Sequence, residues 1–402
     1  MAHALIVGAG IAGDTLALLL ERDGWQVTVV ELAPALREGG QTVDLRGDSR
    51  EVLERLGLLG DVLSVLVPQR GMAWITANGH RLATMPVEAF GGRGFVSSEE
   101  LLRTDLARVL HDAAGPAVEH RFGETVDALT EHPDGVDVLF RSGRQERFDL
   151  VVGADGAHSR VRSLVFGDDP AQRTSLGLAH AWFTLEEQPD TPRLDGWCVV
   201  HHAGRRRAVA ARPGHPGEQE VGLTFAADAV PRGDREAQFA LLDQALAGAG
   251  WRTAEFLAAA RTAPDFALDT YEQIHLPAWS AGRVVLVGDA AWCTSPLSGL
   301  GTALGLRGAA ELADALERAD ARAAPAQIPA ALHDYESAMR PRATSAQRLL
   351  PGRVGMVAPA SRFGALTNAL LMRLVQLPIM QGVVARAGAE SGHATKTQSQ
   401  PV

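Results

Sequence analysis

Three glycines and one acid carry the clearest chemistry in this sequence. Gly8 and Gly10 follow the short apolar run 4–7, and Gly13 lies in the first turn of a helix-like segment, 11–21. At this spacing the first glycine permits a tight turn. The second lets a diphosphate approach the backbone, and the third lets helix and strand pack closely. The phosphates then meet the free amides of Ile11, Ala12 and Gly13 at the positive end of the helix. Glu31 closes the next β-branched run, 26–30, where an acid binds ribose hydroxyls. A glycine-rich corner that merely packs strand on helix leaves Glu31 unexplained, so the pattern points to a dinucleotide.

Two further segments share this design. Residues 149–153 form an apolar strand that ends in Asp155-Gly156, followed by Ser159 and Arg162 at helical distance. Residues 283–287 form another, ending in Gly288-Asp289, with Pro296, Gly299 and Gly301 opening a helix over 302–317. Three strands that end in glycine-rich or acidic turns place one extended ligand along the carboxyl edge of a parallel sheet.

Taken together, these segments resemble the flavin-dependent aromatic hydroxylases, the single-component group that includes para-hydroxybenzoate hydroxylase and the tetracycline-inactivating monooxygenases. The matches are Gly8, Gly10 and Gly13; Asp155, Gly156, Ser159 and Arg162; Gly288 and Asp289; and Pro296, Gly299 and Gly301. The resemblance spans about residues 4–320. It implies FAD as the dinucleotide, with Glu31 on the adenosine ribose and Asp289 on the ribityl chain. It also implies cofactor contacts at Leu32, Arg37, Gln41, Arg103 and Val126. Without the resemblance, Arg103 would read as a solvated helix residue. Two positions depart from the common pattern: Trp292 stands where many members have histidine, and Ala303 where many have asparagine.

The implied reaction is an FAD-dependent monooxygenation. NAD(P)H reduces the flavin, O2 adds to give a C4a-hydroperoxide, and one oxygen passes to an aromatic or polyketide-like small molecule. Water must be kept out for the oxygen to be delivered productively. The same chemistry also serves epoxidation, Baeyer–Villiger insertion or simple oxidation, and the fold could instead hold an unstable intermediate without oxygenating it. No side chain need act as a nucleophile, so no catalytic residue is assigned. A second glycine fingerprint for the nicotinamide cofactor is absent, and the resemblance implies that NAD(P)H binds transiently near the flavin.

Substrate contacts are expected from a β-rich insertion. On the strand over 178–185, alternation puts Leu178, His180, Trp182 and Thr184 on one face and Ala179, Ala181, Phe183 and Leu185 on the other. The second set reads as core. His180 and Trp182 suit an aromatic ligand, or are ordinary surface or core residues, and Trp197 and Val199 are expected to continue that floor. His201-His202 lacks a partner at ligand spacing, and neighbours on a strand face opposite ways, so no metal is expected there or elsewhere.

The elements that must position these residues follow from the wider sequence. At 402 residues, with 46% hydrophobic and 21% charged, the chain can build two or three cores of about 150 residues each. The expected fold class is α/β: a Rossmann-like FAD-binding domain interleaved with a β-sheet substrate domain, plus C-terminal helices. The boundaries expected are 1–70, 95–173 and 280–320 for the FAD domain, 71–94 and 174–279 for the substrate domain, 321–387 for a helical region broken at prolines including Pro341, and 388–402 for a flexible tail. A helix over about 98–113, capped by Ser97 or Ser98, is expected to carry Arg103. The net charge of −10 argues against nucleic acid as a partner. Two cysteines, Cys198 and Cys293, argue against a disulfide scaffold and for the cytoplasm. No apolar run reaches the roughly 18 residues that span a bilayer, so no membrane partner is expected. The apolar stretch at 366–387 reads as packing across the domains rather than as a membrane-surface helix. The partners expected are O2 and a small aromatic substrate, with the chain a monomer or dimer.

Overall fold

The β-branched and apolar runs read from the sequence become a parallel sheet. Strand His3–Val7 lies between Gln26–Glu31 and Leu150–Gly153. Val284–Leu286 extends the sheet beyond Leu150–Gly153, and Glu119–Phe122 extends it beyond Gln26–Glu31. These five strands are parallel, and a short antiparallel strand, Ser280–Ala281, finishes one edge. The connection out of His3–Val7 goes to Gln26–Glu31 on one side, and Leu150–Gly153 and Val284–Leu286 fill the other. The order therefore reverses beside His3–Val7, where open α/β sheets bind ligands at the carboxyl ends. Most side chains of the four strands His3–Val7, Gln26–Glu31, Leu150–Gly153 and Val284–Leu286 are buried, as expected where helices cover both faces.

The computed structural model describes residues 2–36, 39, 41–89, 97–169 and 172–375. It divides into two units. The first comprises Met1–Leu66, Leu101–Gly177 and Thr270–Arg353; the second comprises Val67–Glu100, Leu178–Asp269 and the chain from Val354. The helical region after residue 320 is thus not separate: its first part joins the first unit and its last part the second. Helix Ile328–Gln347 also runs through Pro341 instead of breaking there. The expected tail, 388–402, lies outside the described residues.

The first unit adds a three-stranded antiparallel sheet, Val126–His132, Gly135–Phe140 and Gln145–Phe148. It also holds the helices Ile11–Arg22, Arg103–Ala114 and Gly301–Arg318. The helix expected from residue 98 starts later, at Arg103. A short strand, Glu100–Leu102, precedes it, and Ser97 Oγ accepts from Glu99 N (3.1 Å) in a turn instead of capping a helix. The Arg103 amide donates to the Gln41 carbonyl (2.9 Å), which fixes where the helix begins.

The second unit is built on a seven-stranded sheet in which Arg173–Glu186, Glu218–Phe225, Arg207–Pro213 and Trp197–Gly204 pair antiparallel in that order. Strand Gly71–Ile75 joins Trp197–Gly204 in parallel and pairs antiparallel with Arg81–Pro86. Ala179, Ala181, Phe183, Val199, Val209, Ala211, Val221 and Leu223 form one core with Leu242, Leu246 and Phe256. These last three come from the helices Arg235–Leu246 and Thr253–Ala260. On the other face, Trp74, Met85, Cys198 and Val200 pack with Ala369 and Met372 of helix Arg362–Val375.

Candidate functional site

The carboxyl edge of the parallel sheet brings the three glycine motifs together. Gly8 has φ +110°, and a Cβ there would stand 2.6 Å from the Ala154 carbonyl oxygen. Only glycine lets the first turn lie against the turn that leads to Asp155. A Cβ on Gly13 would sit 2.0 Å from the Gly8 carbonyl oxygen, so this position needs a glycine for strand–helix packing. Gly10 differs. A Cβ there would meet only Arg103 Nη2, at 3.7 Å. The space in front of Gly10 is therefore open on the protein side and bounded by a guanidinium.

Helix Ile11–Arg22 begins at Gly10 with no side-chain cap. Its first amides are left for an anion, and the Arg103 side chain, exposed at the start of its own helix, adds positive charge beside them. Glu31 is held by two amides, Ala9 N to Oε2 at 3.1 Å and Ala33 N to Oε1 at 2.9 Å. The carboxylate is therefore fixed beside the glycine turn at the end of its strand. An open cradle at Gly10, uncapped amides, a cation and a fixed acid are what a dinucleotide with one pyrophosphate requires, and the residues fit FAD.

The Gly288-Asp289 turn meets the same place. A Cβ on Gly288 would approach Ala12 Cβ to 3.2 Å, and one on Gly305 would approach it to 3.7 Å. Ala12 thus sits where the phosphate helix, the second acidic turn and helix Gly301–Arg318 converge. Asp289 reaches solvent, yet the protein packed around it lifts its carboxyl above the ordinary range. Arg103 and a hydrogen bond with Cys293 pull the other way. Pro296, Gly299 and Gly301 are all exposed, and the helix that starts at Gly301 has no side-chain cap. Its amides are free to face negative charge.

Asp155 and Arg162 do structural work on this edge. The Asp155 carboxylate accepts from Ser159 Oγ (2.5 Å), Arg160 N (2.6 Å) and Val161 N (3.2 Å), so it caps the helix Arg160–Phe166. Burial pushes its carboxyl up against the pull of those bonds. Arg162 is 2% exposed and donates to the carbonyls of Ala157 (2.6 Å) and Ala290 (3.0 Å). One buried guanidinium therefore ties the Asp-Gly turn to the Gly-Asp turn. The motif match contained Arg162, but its role depends on a partner far along the chain.

The other expected positions are less direct. Gln41 meets Arg103 through its backbone carbonyl. Leu32 is exposed next to Glu31. Val126 is fully buried, and its carbonyl accepts from Arg160 Nε (3.4 Å). Arg37 and Gly156 stand apart: Arg37 lies outside the described residues, while Gly156 has φ +79° with open space around it.

In the second unit the register defines a different kind of surface. His180 pairs with Thr224, and Trp182 with Gly222; beyond them come Ala208 and Ala210. This is the face opposite the Phe183 core. His180 Nδ1 lies 2.8 Å from Thr224 Oγ1, and its ring stacks with Trp182 at 6.0 Å and 19°. A Cβ on Gly222 would come within 2.9 Å of His180 Cε1, so the ring lies across that glycine. Burial lowers the His180 pKa to about 4, which leaves it neutral at ordinary pH.

Trp197 and Val199 do not continue this surface, contrary to expectation. Val199 pairs with Ala211, which pairs with Val221, which pairs with Phe183, and all four lie in the core on the opposite face. Trp197 shares that face and packs under the guanidinium groups of Arg70 (5.6 Å) and Arg81 (5.2 Å). The pairing register is off by one residue from the expected continuation, and one residue reverses the face. Cys198 and Val200 are the neighbours that turn the other way. Arg212, missed in the sequence, also lies on the His180 face; it pairs with Glu220 and is bonded to Glu100. His201 is no metal ligand: its ring lies between the carbonyls of Ile75 (3.2 Å) and Ala249 (2.9 Å).

The profile of the FAD binding domain family matches residues 1–349 of this chain. The chain belongs to that family. An FAD-dependent monooxygenase of Sarocladium schorii, asL4, is 32% identical over 315 residues, covering 76% of this chain and 73% of the relative. An uncharacterized protein of Mycobacterium tuberculosis is 40% identical over 323 residues, covering 79% of this chain and 86% of the relative. Among solved structures, tetracycline destructase Tet(51) superposes with a TM-score of 0.78 at 27% identity, covering 94% of this chain and 97% of that one. This chain is an FAD-dependent monooxygenase with a Rossmann-like parallel sheet, an antiparallel second sheet and C-terminal helices.

Within this flavin monooxygenase, Trp292 has a packing explanation. It is buried against Trp279 (4.5 Å) and Tyr335 (6.2 Å), and a Cβ on Gly308 would stand 2.8 Å from its ring. Glycine at 308 leaves room for this large ring. No described helix is long and apolar enough to cross a membrane.

Proposed function

We propose that this monooxygenase uses NAD(P)H and O2 to hydroxylate an aromatic or polyketide-like small molecule. The observation that carries the reading is the His180–Trp182 face. It combines a stacked ring pair, a hydroxyl at Thr224 and a glycine, Gly222, that seats the His180 ring beside the small residues Ala208 and Ala210. Planar aromatic rings stack on such a surface, and a few fixed polar atoms orient them. Neutral His180 offers hydrogen bonding without a charge that would call for an ionic ligand.

Bound FAD supplies the electron transfer from the nicotinamide and the activation of oxygen. The chain's own residues bind and orient. The amides of Ile11, Ala12 and Gly13 with Arg103 would hold the pyrophosphate, Glu31 the adenosine ribose and Asp289 the ribityl chain. The uncapped amides at Gly301 would stabilise negative charge on the ring system. Tet(51) is a tetracycline destructase, and its likeness supports a polycyclic substrate class.

The test is incubation of purified holoprotein with NAD(P)H and a panel of aromatic and polyketide metabolites. The expected result is substrate-stimulated NAD(P)H oxidation and a product heavier by one oxygen atom on an aromatic carbon. Oxygen inserted beside a carbonyl or across an alkene would replace hydroxylation with a Baeyer–Villiger or epoxidation reaction.

A further inference from the structure

Three side chains of the first unit, from three separate elements, meet away from the glycine turns. Asp14 comes from the first turn of helix Ile11–Arg22, His111 from the last turn of Arg103–Ala114, and His120 from strand Glu119–Phe122. Each offers one ligand atom, and the three atoms lie within 4.8 Å of one another. His120 Nε2 is 3.1 Å from Asp14 Oδ1, and the two imidazoles meet edge to face at 4.3 Å.

The cluster is short of partners. The Asp14 side chain is completely buried, and its Oδ2 has no hydrogen-bond partner. His111 Nδ1 is likewise buried and unpartnered. Two buried polar atoms without partners in one cluster are costly, at about 1–3 kcal/mol each, unless something binds them. Phe122 stands over both rings, at 5.7 Å from His111 and 6.2 Å from His120. It gives the site an apolar wall that strengthens ion–ligand attraction.

We propose that Asp14, His111 and His120 form a divalent-metal site that takes Zn2+. Two imidazoles and one carboxylate are a zinc donor set, and imidazole nitrogen selects against Mg2+ and Ca2+, which prefer oxygen. Around a tetrahedral zinc, neighbouring ligand atoms lie about 3.3 Å apart. The Asp14–His120 pair already has that spacing, and the widest separation needs to close by roughly 1.5 Å. A water or small anion fills the fourth position. Such a metal would pin the phosphate-binding helix to the helix that starts at Arg103, and so join two elements that hold the cofactor. Neighbouring sequence could not show this, because the three ligands share no local spacing.

The test uses tag-free, full-length holoprotein, dialysed against a chelator and titrated with zinc chloride and, in parallel, cobalt chloride. The wild type should bind one Zn2+ per chain, give the visible absorption of four-coordinate cobalt, and melt at a lower temperature after chelation. His111→Ala keeps Asp14 and His120 paired and should fold with its FAD. It should lower zinc affinity by at least about 100-fold and lose the cobalt spectrum, since even outer-shell changes cost 10–100-fold. Its melting temperature should not respond to chelator. Asp14→Asn serves as a second variant with the same expected loss. Equal zinc affinity in the wild type and His111→Ala, or wild-type binding no stronger than the background of His111→Ala, overturns the proposal.

Discussion

The parallel-sheet edge of the first unit and the His180 face of the second unit's sheet are built from different kinds of group. At the edge, the working groups are mostly backbone: amides at two uncapped helix starts and turns that only glycine can make. Side chains there, such as Arg162 and Asp155, mainly hold the backbone in place. On the His180 face of the second sheet, the backbone is consumed by pairing, and under the proposed function recognition falls to side chains such as His180 and Trp182. A site made of backbone demands particular residues at fixed spacing. A site made of side chains tolerates many residues and depends on which way the strand faces.

The largest effects should come where the edge has no room. Gly13→Ala places a Cβ 2.0 Å from the Gly8 carbonyl and should cost several kcal/mol, about 3 or more, with loss of both fold and flavin. Gly10→Val should leave the melting curve near that of the wild type while abolishing FAD binding, because the space it fills belongs to the ligand. Flavin absorbance after reconstitution, read beside circular dichroism, separates the two. If both variants unfold together, the distinction between packing and ligand glycines fails.

Phe183→Ala and Trp182→Ala sharpen the comparison on the second sheet. Phe183 is 2% exposed in the core, so its truncation should cost about 3–5 kcal/mol of stability. Trp182→Ala should leave stability and FAD occupancy nearly intact and weaken substrate binding by about 1–3 kcal/mol. Peroxide released per NAD(P)H consumed should rise, since a looser site admits water. Urea unfolding and substrate titration decide the pair, and a reversal of the two results would reverse the faces.

Arg162→Met tests the tie between the two acidic turns. It removes donors from the Ala157 and Ala290 carbonyls and should cost about 3 kcal/mol in urea unfolding, with weaker FAD retention. An unchanged FAD affinity would show that the turns hold their places independently.

The last test concerns pH. Burial lowers His180 to about 4 from an ordinary value of 6.5. The unfolded chain therefore takes up a proton at higher pH than the folded one. Stability from this residue is full above about pH 6.5 and is lost as pH falls toward 4. His180→Gln should flatten the decline in urea midpoint between pH 7 and pH 4, while His202, also lowered to about 4, keeps its own share. An identical decline in the variant would remove His180 from the titration.

Residue types and spacing alone determined the strand–turn–helix order, a dinucleotide as ligand and the three motifs, because a backbone site leaves glycines and acids as a local imprint. Alternation along one strand also separated His180 and Trp182 from Ala181 and Phe183. Tertiary structure decided what depends on a second strand or a distant partner. The pairing register turned Trp197 and Val199 to the core face. Packing against Gly308 explained Trp292, and a carbonyl 128 residues away gave Arg162 its role. The Arg103 helix starts where the Gln41 carbonyl fixes it, and the unit boundaries follow from contacts between segments far apart in sequence. The physical reason is common to all of these. A local conformational demand is written in consecutive residues, whereas the partner of a side chain is chosen only when distant segments pack.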